Sequence, residues 1–382
     1  MRENEAVLLA LQEARKAGKK GALATVVKVK GSAYRREGAK MFINETGHYV
    51  GLISGGCLES DVAEVAQAVI CDNKAMLKRY ELDEDLVWGL GLGCPGTVDL
   101  FIEPIAADKE LHPAFSKWTQ DIQNGEAAVL CTVIGRNENT CDSASRRLVI
   151  TEQGQVAGSL ENAGINRFAE KWAKELLQQQ NPRSSCQSIL LEDGTSISLF
   201  LDVVVPLPSI LIFGAGNDAI PVARLSATLG LPTTVVDPRP GYNTSERFPQ
   251  ATRLLIDSEK YAQQLSVGKR TYVVIMNHHM ERDQEALRFA LPSQAAYIGL
   301  LGPRSRRERI MEALEKTGSS FTVRQLARLC NPIGLDIGAD NAEEIAVSIL
   351  AEIIAKRTGH EGGLLRDKAQ IHQTDSHCRL AL

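Results

Sequence analysis

Apolar residues recur at helical spacing from Val7 to Ala17 and give way to lysines before Gly21, which predicts an opening helix with a glycine stop. From Ala22 to Val29 the pattern changes to small and β-branched residues, as in a strand. The chain turns at Gly31-Ser32, resumes as a strand over Ala39 to Ile43, turns at Thr46-Gly47 and runs on through Tyr49 to Ile53. A glycine loop, Ser54-Gly55-Gly56-Cys57, then opens into Leu58 to Ala66, whose composition suits a helix with acidic residues in its first turn. A second glycine loop, Gly89 to Gly96 with Gly93 and Cys94 inside it, precedes a strand over Thr97 to Ile102. Strands over Ala127 to Ile134, Arg147 to Ile150 and Ser196 to Val205 surround a long helix from Ile165 to Gln180, stopped by Asn181-Pro182.

Beyond the prolines at 206 and 208 a new pattern starts. Ser209 to Phe213 is continuously apolar, as in a buried parallel strand. Gly214-Ala215-Gly216-Asn217-Asp218-Ala219 follows and fits the GxGxxG/A fingerprint; a helix ends at Gly230, and the strand Thr233 to Val236 ends at Asp237, 18 residues after Ala219. That interval suits an acid accepting from a ribose hydroxyl, so the unit predicts a Rossmann-like domain, extended by strands over Thr271 to Met276 and Ala296 to Leu301. A last helix, Ala342 to Lys356, has Asn341 as N-cap, Glu344 three residues on and Gly359 past its end. The expected fold class is α/β: an N-terminal α/β domain over 1–205, a C-terminal Rossmann-like domain with a mainly parallel sheet over 206–358, and a polar, poorly ordered tail over 359–382.

Composition narrows the function classes. The 382 residues are 44% apolar and 24% charged, as in ordinary globular proteins, and 43 Lys and Arg against 47 Asp and Glu offer no broad basic surface for nucleic acid or anionic lipid. No apolar run is long enough for a spanning helix, and the N-terminus does not read as a signal peptide. The 8 cysteines form no CxxC pair and no ferredoxin spacing, which suits reduced thiols in the cytoplasm.

Cys57 stands out. A thiol at a helix start, behind two glycines that let backbone N–H groups converge, is placed to act as nucleophile, sulfur carrier or soft metal ligand; a small residue filling a tight turn is the plainer alternative. Cys94 sits in a comparable loop, and two thiols without a nearby His pair make a structural zinc site a poor reading. Gly214 and Gly216 suit a phosphate at a helix N-terminus, with Asp237 on a diol, or serve only as a connection. His278 and His279 fall at a strand's carboxyl end, as ligand contacts or solvated loop. Arg304, nearest the end of the Ala296 to Leu301 strand, is either an anion contact or part of a solvated helix face.

Several segments taken together resemble the XdhC/CoxI family of xanthine dehydrogenase accessory proteins. They are Ser54-Gly55-Gly56-Cys57-Leu58-Glu59, Gly91-Leu92-Gly93-Cys94, Ile212 to Gly216, Tyr297 to Gly302 and Pro332 to Ala339. The resemblance implies a chaperone that binds molybdenum cofactor, as molybdopterin or its dinucleotide form, and supports its sulfuration and insertion into xanthine dehydrogenase or a related molybdenum hydroxylase. It also implies a homodimer, and a cysteine desulfurase is a candidate further partner. Gly55, Gly56, Cys57, Gly93 and Cys94 would approach the molybdenum or its transferable sulfur. Gly214, Gly216 and Asp237 would hold the phosphate or nucleotide end, with His278 and Arg304 as further cleft contacts. Pro95, where the family commonly has glycine, removes a backbone donor, and Met276-Asn277-His278-His279 departs from the family's Thr-His-Asp pattern.

Rival readings are an NAD(P)-dependent oxidoreductase, supported by the fingerprint without a Tyr-x-x-x-Lys constellation, and a nucleotide-binding regulatory module without chemistry. The chain reads as a cofactor chaperone rather than a stand-alone enzyme. It is not a complete xanthine dehydrogenase, because iron–sulfur spacing is missing.

Overall fold

The structure is a computed structural model that describes residues 2–31, 33–82, 96–107, 110–136, 140–141, 146–179, 181–367 and 380–381. The chain divides into two compact units, Met1–Pro206 with Arg366–Leu382, and Leu207–Leu365.

The first unit holds two sheets. One comprises β1 (Gly21–Gly31), β2 (Lys40–Asn44), β3 (Tyr49–Gly51), β4 (Met76–Leu82) and β5 (Gly96–Ile105) in the order β3-β2-β1-β5-β4, with every pairing antiparallel. The other comprises β6 (Ala128–Arg136), β7 (Thr140–Cys141), β8 (Arg147–Thr151), β9 (Val156–Ser159), β10 (Ser185–Leu190) and β11 (Ser196–Val204), with the two-residue β18 (Leu380–Ala381) running parallel beside β10. Apart from β18, the strands of the N-terminal α/β domain pair antiparallel, with helices covering the sheets rather than crossing between parallel strands.

Alternation along the strands feeds different cores. Ala22, Ala24 and Val26 face helix α2 (Glu59–Asp72) through Val62, Ala66 and Val69. Leu23 and Phe42 point the other way, toward Leu130 and Val149 of the second sheet and toward α1 (Arg2–Lys16) and α3 (Pro113–Gln123). The outer face of the second sheet is covered by α4 (Ala163–Gln178), whose N-terminal amides at Gly164 and Ile165 donate to Asn162.

Two buried ion pairs cross between these sheets. Lys40 Nζ of β2 donates to Asp202 Oδ2 of β11 at 2.5 Å and to the Gly38 carbonyl at 3.1 Å. Arg147 Nη2 of β8 reaches both oxygens of Glu103 on β5 at 2.6 and 2.7 Å. Both cations also lie over rings of α3, Lys40 Nζ 5.2 Å from Trp118 and Arg147 Cζ 4.9 Å from Phe115.

The second unit is one parallel sheet of β12 (Ser209–Phe213), β13 (Thr233–Val236), β14 (Thr252–Leu254), β15 (Thr271–Ile275), β16 (Tyr297–Leu300) and β17 (Leu329–Cys330), in the order β14-β13-β12-β15-β16-β17. That is the Rossmann order, which places its ligand crevice beyond the carboxyl ends of β12 and β15. Ile210 and Ile212 pack toward α5 (Ala219–Thr228) and α8 (Ala342–Thr358), whereas Leu211 and Phe213 pack toward α6 (Met280–Ala290) and α7 (Arg304–Lys316). Burial on both faces explains why these strands read as continuous apolar runs. The final helix is capped as its sequence predicts: Asn341 Oδ1 accepts from Glu344 N–H, and Gly359 is left-handed at φ +74°.

Candidate functional site

In the first unit, the candidate loop lies between β3 and α2. Gly56 has φ +104°, a conformation that glycine adopts without strain, and Gly55, Gly56 and Cys57 are all exposed. Their neighbours on either side are buried and bound together. The Ser54 hydroxyl oxygen accepts from the backbone N–H groups of Gly56, Cys57 and Leu58 at 3.3, 3.1 and 3.0 Å. Glu59, only 1% exposed, accepts from the backbone N–H groups of Ile53, Ser54 and Leu58 and from the Ser54 hydroxyl. Burial alone would raise the Glu59 carboxyl, but these hydrogen bonds, Ser54's above all, hold it below its ordinary value.

The amides behind Cys57 do converge, but on Ser54 and the Glu59 carboxylate, which also meets the positive end of α2. The loop presents an exposed thiol on a braced frame. Sequence reading missed Ser54 and Glu59 in this role; a serine opening the glycine loop, with a glutamate five residues on at the start of the helix, was the available signal.

Gly93 and Cys94 lie outside the described residues. The described chain resumes at Gly96, which pairs with Gly31 and Leu82, and a side chain at Gly55 would lie 3.5 Å from the ring of Tyr34, three residues past Gly31. The described flanks of both glycine loops therefore share one end of the five-stranded sheet.

The described cysteines differ sharply in availability. Cys131 is fully buried, and burial pushes its thiol far up; Cys186 and Cys330 are also pushed up, chiefly by burial, to about 12. Cys57 and Cys71 are exposed, and of these Cys57 alone sits in a glycine turn. Among the described residues no cluster of three or more His, Cys, Asp or Glu forms a metal site, and no helix is long and apolar enough to cross a membrane.

In the second unit, the fingerprint loop follows β12. Gly214 has φ +112°, and a side chain there would come within 2.6 Å of the Met276 carbonyl oxygen, so the loop and the end of β15 touch through backbone. Gly216 faces Asp218 and His278, whose Nε2 lies 2.5 Å from Asp218 Oδ2. His278 is exposed with φ +55°, an uncommon conformation for this residue, and it stands at the switch point of the sheet. The segment is held from behind: Asp283, 1% exposed, accepts from Asn277 and from Arg306 Nε and Nη2. Arg304, the arginine singled out from sequence, is exposed at the start of α7, whereas Arg306 binds Asp283 of α6, which in turn holds Asn277.

Asp237 stands at the end of β13, completely buried. It accepts from Ala215 N–H at 2.9 Å and from Arg239 through its backbone N–H, Nε and Nη2 at 3.0, 2.9 and 2.6 Å. Burial would raise this carboxyl, yet the Arg239 and Ala215 hydrogen bonds keep it below the usual range. Arg247 Nη2 adds a bond to the Ala215 carbonyl at 3.0 Å and to Asn217 Oδ1 at 3.1 Å. Sequence reading missed Arg239 and Arg247; an arginine two residues after the strand-terminal acid was the signal for the first.

Fold and loops together define a two-unit α/β protein with a Rossmann domain as its C-terminal half. The XdhC and CoxI family model matches residues 14–81, and the XdhC Rossmann domain model matches residues 210–353. A Bacillus subtilis (strain 168) protein, named as a probable subunit of xanthine dehydrogenase, is 32% identical over 338 residues, covering 88% of this chain and 92% of its own. The Escherichia coli (strain K12) molybdenum cofactor insertion chaperone PaoD is 23% identical over 360 residues, covering 94% of this chain and 90% of its own. A Bacillus halodurans crystal structure described as a xanthine dehydrogenase superposes with a TM-score of 0.70 at 28% identity, covering 93% of this chain and 97% of that one. The chain belongs to the XdhC/CoxI family.

Proposed function

We propose that this protein is an accessory protein that binds molybdenum cofactor as cargo and supports its sulfuration and insertion into a xanthine-dehydrogenase-type molybdenum hydroxylase. It would act in the cytoplasm as a homodimer and take sulfur from a cysteine desulfurase. The observation that carries the reading is Cys57: an exposed thiol held on a rigid glycine turn, in a chain whose relatives include a molybdenum cofactor insertion chaperone and a probable xanthine dehydrogenase component. A soft thiolate suits a molybdenum–sulfur centre, and the brace of Ser54 and Glu59 fixes where that thiol stands. Cys94 is proposed as the second thiol of this site, with Gly55, Gly56 and Gly93 allowing close approach. Gly214, Gly216 and Asp237 serve the phosphate or nucleotide end of a ligand in the Rossmann unit, with His278 and Arg304 as further contacts there.

Co-expression of a xanthine-dehydrogenase-type enzyme with wild-type protein or Cys57→Ser tests this. Hydroxylase activity per molybdenum should fall at least about tenfold with the variant. Full activity with Cys57→Ser would remove the thiol from the mechanism.

A further inference from the structure

We propose that the acid-bearing end of the Rossmann sheet takes a phosphate monoester and rejects a bare vicinal diol. The inference rests on the reading of this unit as a site for a phosphorylated ligand, and it names the group that the site selects.

In a site for a diol, the acid at the end of the second strand needs free lone pairs for ribose hydroxyls. A carboxylate offers about four acceptor positions. At Asp237 four N–H donors occupy them, one from Ala215 and three from Arg239, and the side chain has no exposed surface through which a hydroxyl could arrive. The acid therefore works inward. It fixes the glycine loop through Ala215 and aims the Arg239 guanidinium outward, where that side chain is 35% exposed.

Positive charge collects around it. Arg282 Nη1 of α6 lies 3.9 Å from Asp237 Oδ1, beyond hydrogen-bond distance, with its side chain also 35% exposed. Arg247 is anchored on the loop through Nη2, and its buried Nε has no partner among the described residues. The Arg239 and Arg282 guanidinium groups thus face one carboxylate, with that of Arg247 anchored on the neighbouring loop. Of the nearby acids, Asp218 bonds to His278 and Glu285 pairs with Arg288. Guanidinium groups in excess of the carboxylate they face suit a phosphate monoester, which is close to dianionic at neutral pH. The Tyr242 ring, 46% exposed, carries the Arg239 guanidinium 4.0 Å from its centroid and that of Arg247 at 5.6 Å. A ring-stacked guanidinium is held flat and pre-oriented for two parallel bonds to phosphate oxygens.

Two ligands present this chemistry: a dinucleotide with a ribose 2′-phosphate, and a pterin cofactor ending in its own phosphate. Titration calorimetry on the full chain with NADP+, with NAD+, and anaerobically with phosphate-terminated pterin released from a molybdoenzyme separates them. At least one phosphomonoester probe should bind about tenfold or more tightly than its counterpart lacking that phosphate, NAD+ or the phosphatase-treated pterin. Arg239→Gln should collapse the ratio. Arg282→Gln, at a residue whose guanidinium stands beyond hydrogen-bond distance of Asp237, should reduce it without disturbing the fold as measured by circular dichroism. NAD+ binding as tightly as NADP+, with no phosphate dependence for the pterin, overturns the selectivity while leaving a phosphorylated-ligand site in place. Failure of every probe to bind overturns the underlying reading of the unit as well.

Discussion

Glu59 and Asp237 do the same work in two different units. Each is a buried carboxylate that accepts backbone N–H groups of a glycine loop, so a flexible sequence becomes a fixed turn. Both carboxyls are held below their ordinary values, so the stabilisation they provide is complete above the unfolded carboxylate value of about 4 and is lost as pH falls through the lower folded values. Asp237→Asn is therefore expected to cost about 2 kcal/mol near neutral pH, with the difference from wild type shrinking below about pH 4; thermal melts across that range check this. The thiols divide just as clearly. Iodoacetamide at neutral pH should label Cys57 and Cys71 in the folded protein while Cys131, Cys186 and Cys330 react only after denaturation, which peptide mapping by mass spectrometry would read. Sequence alone isolated Cys57 but not its brace, because the Ser54 and Glu59 bonds depend on how the turn closes.

At the scale of elements, local patterns were the readable ones. The strand, glycine loop, helix, strand and terminal acid from Ser209 to Asp237 follow one another in sequence and appear in the structure in that order. Strand β4 was not anticipated, since Met76–Leu82 mixes charge with apolar residues on a sheet edge, and α3 was missed because its start is marked only by His112 and Pro113. Nor does periodicity reveal pairs such as Lys40 and Asp202, which lie 162 residues apart. That pair shows why a lysine can occupy a strand position that is otherwise core: its partner, a carbonyl and a Trp118 ring replace the water it loses. Lys40→Met should destabilise the chain by about 3–5 kcal/mol because it strands a buried carboxylate, and adding Asp202→Leu should recover part of that loss. Urea melts of the single and double variants measure both.

Across the whole molecule, the sequence separated a strongly patterned C-terminal half from an N-terminal half of short strands, and the structure gives those halves unlike architectures, parallel in one and mainly antiparallel in the other. The parallel half was legible because burial on both faces leaves continuous apolar runs. The two-sheet packing of the other half was not, because it joins strands distant in sequence through faces that alternation does not label. Membership of the XdhC/CoxI family makes both halves parts of one protein, which in the function proposed above carries molybdenum cofactor with Cys57 at the metal. The most direct test is the molybdenum and pterin content of protein isolated anaerobically from molybdate-supplied cells, for wild type and Cys57→Ser. Wild-type protein is expected to hold molybdenum and pterin in equal amounts, and the folded Cys57→Ser variant to lose most of both. A wild-type protein free of molybdenum and pterin, or a variant that retains them in full, would contradict the claim.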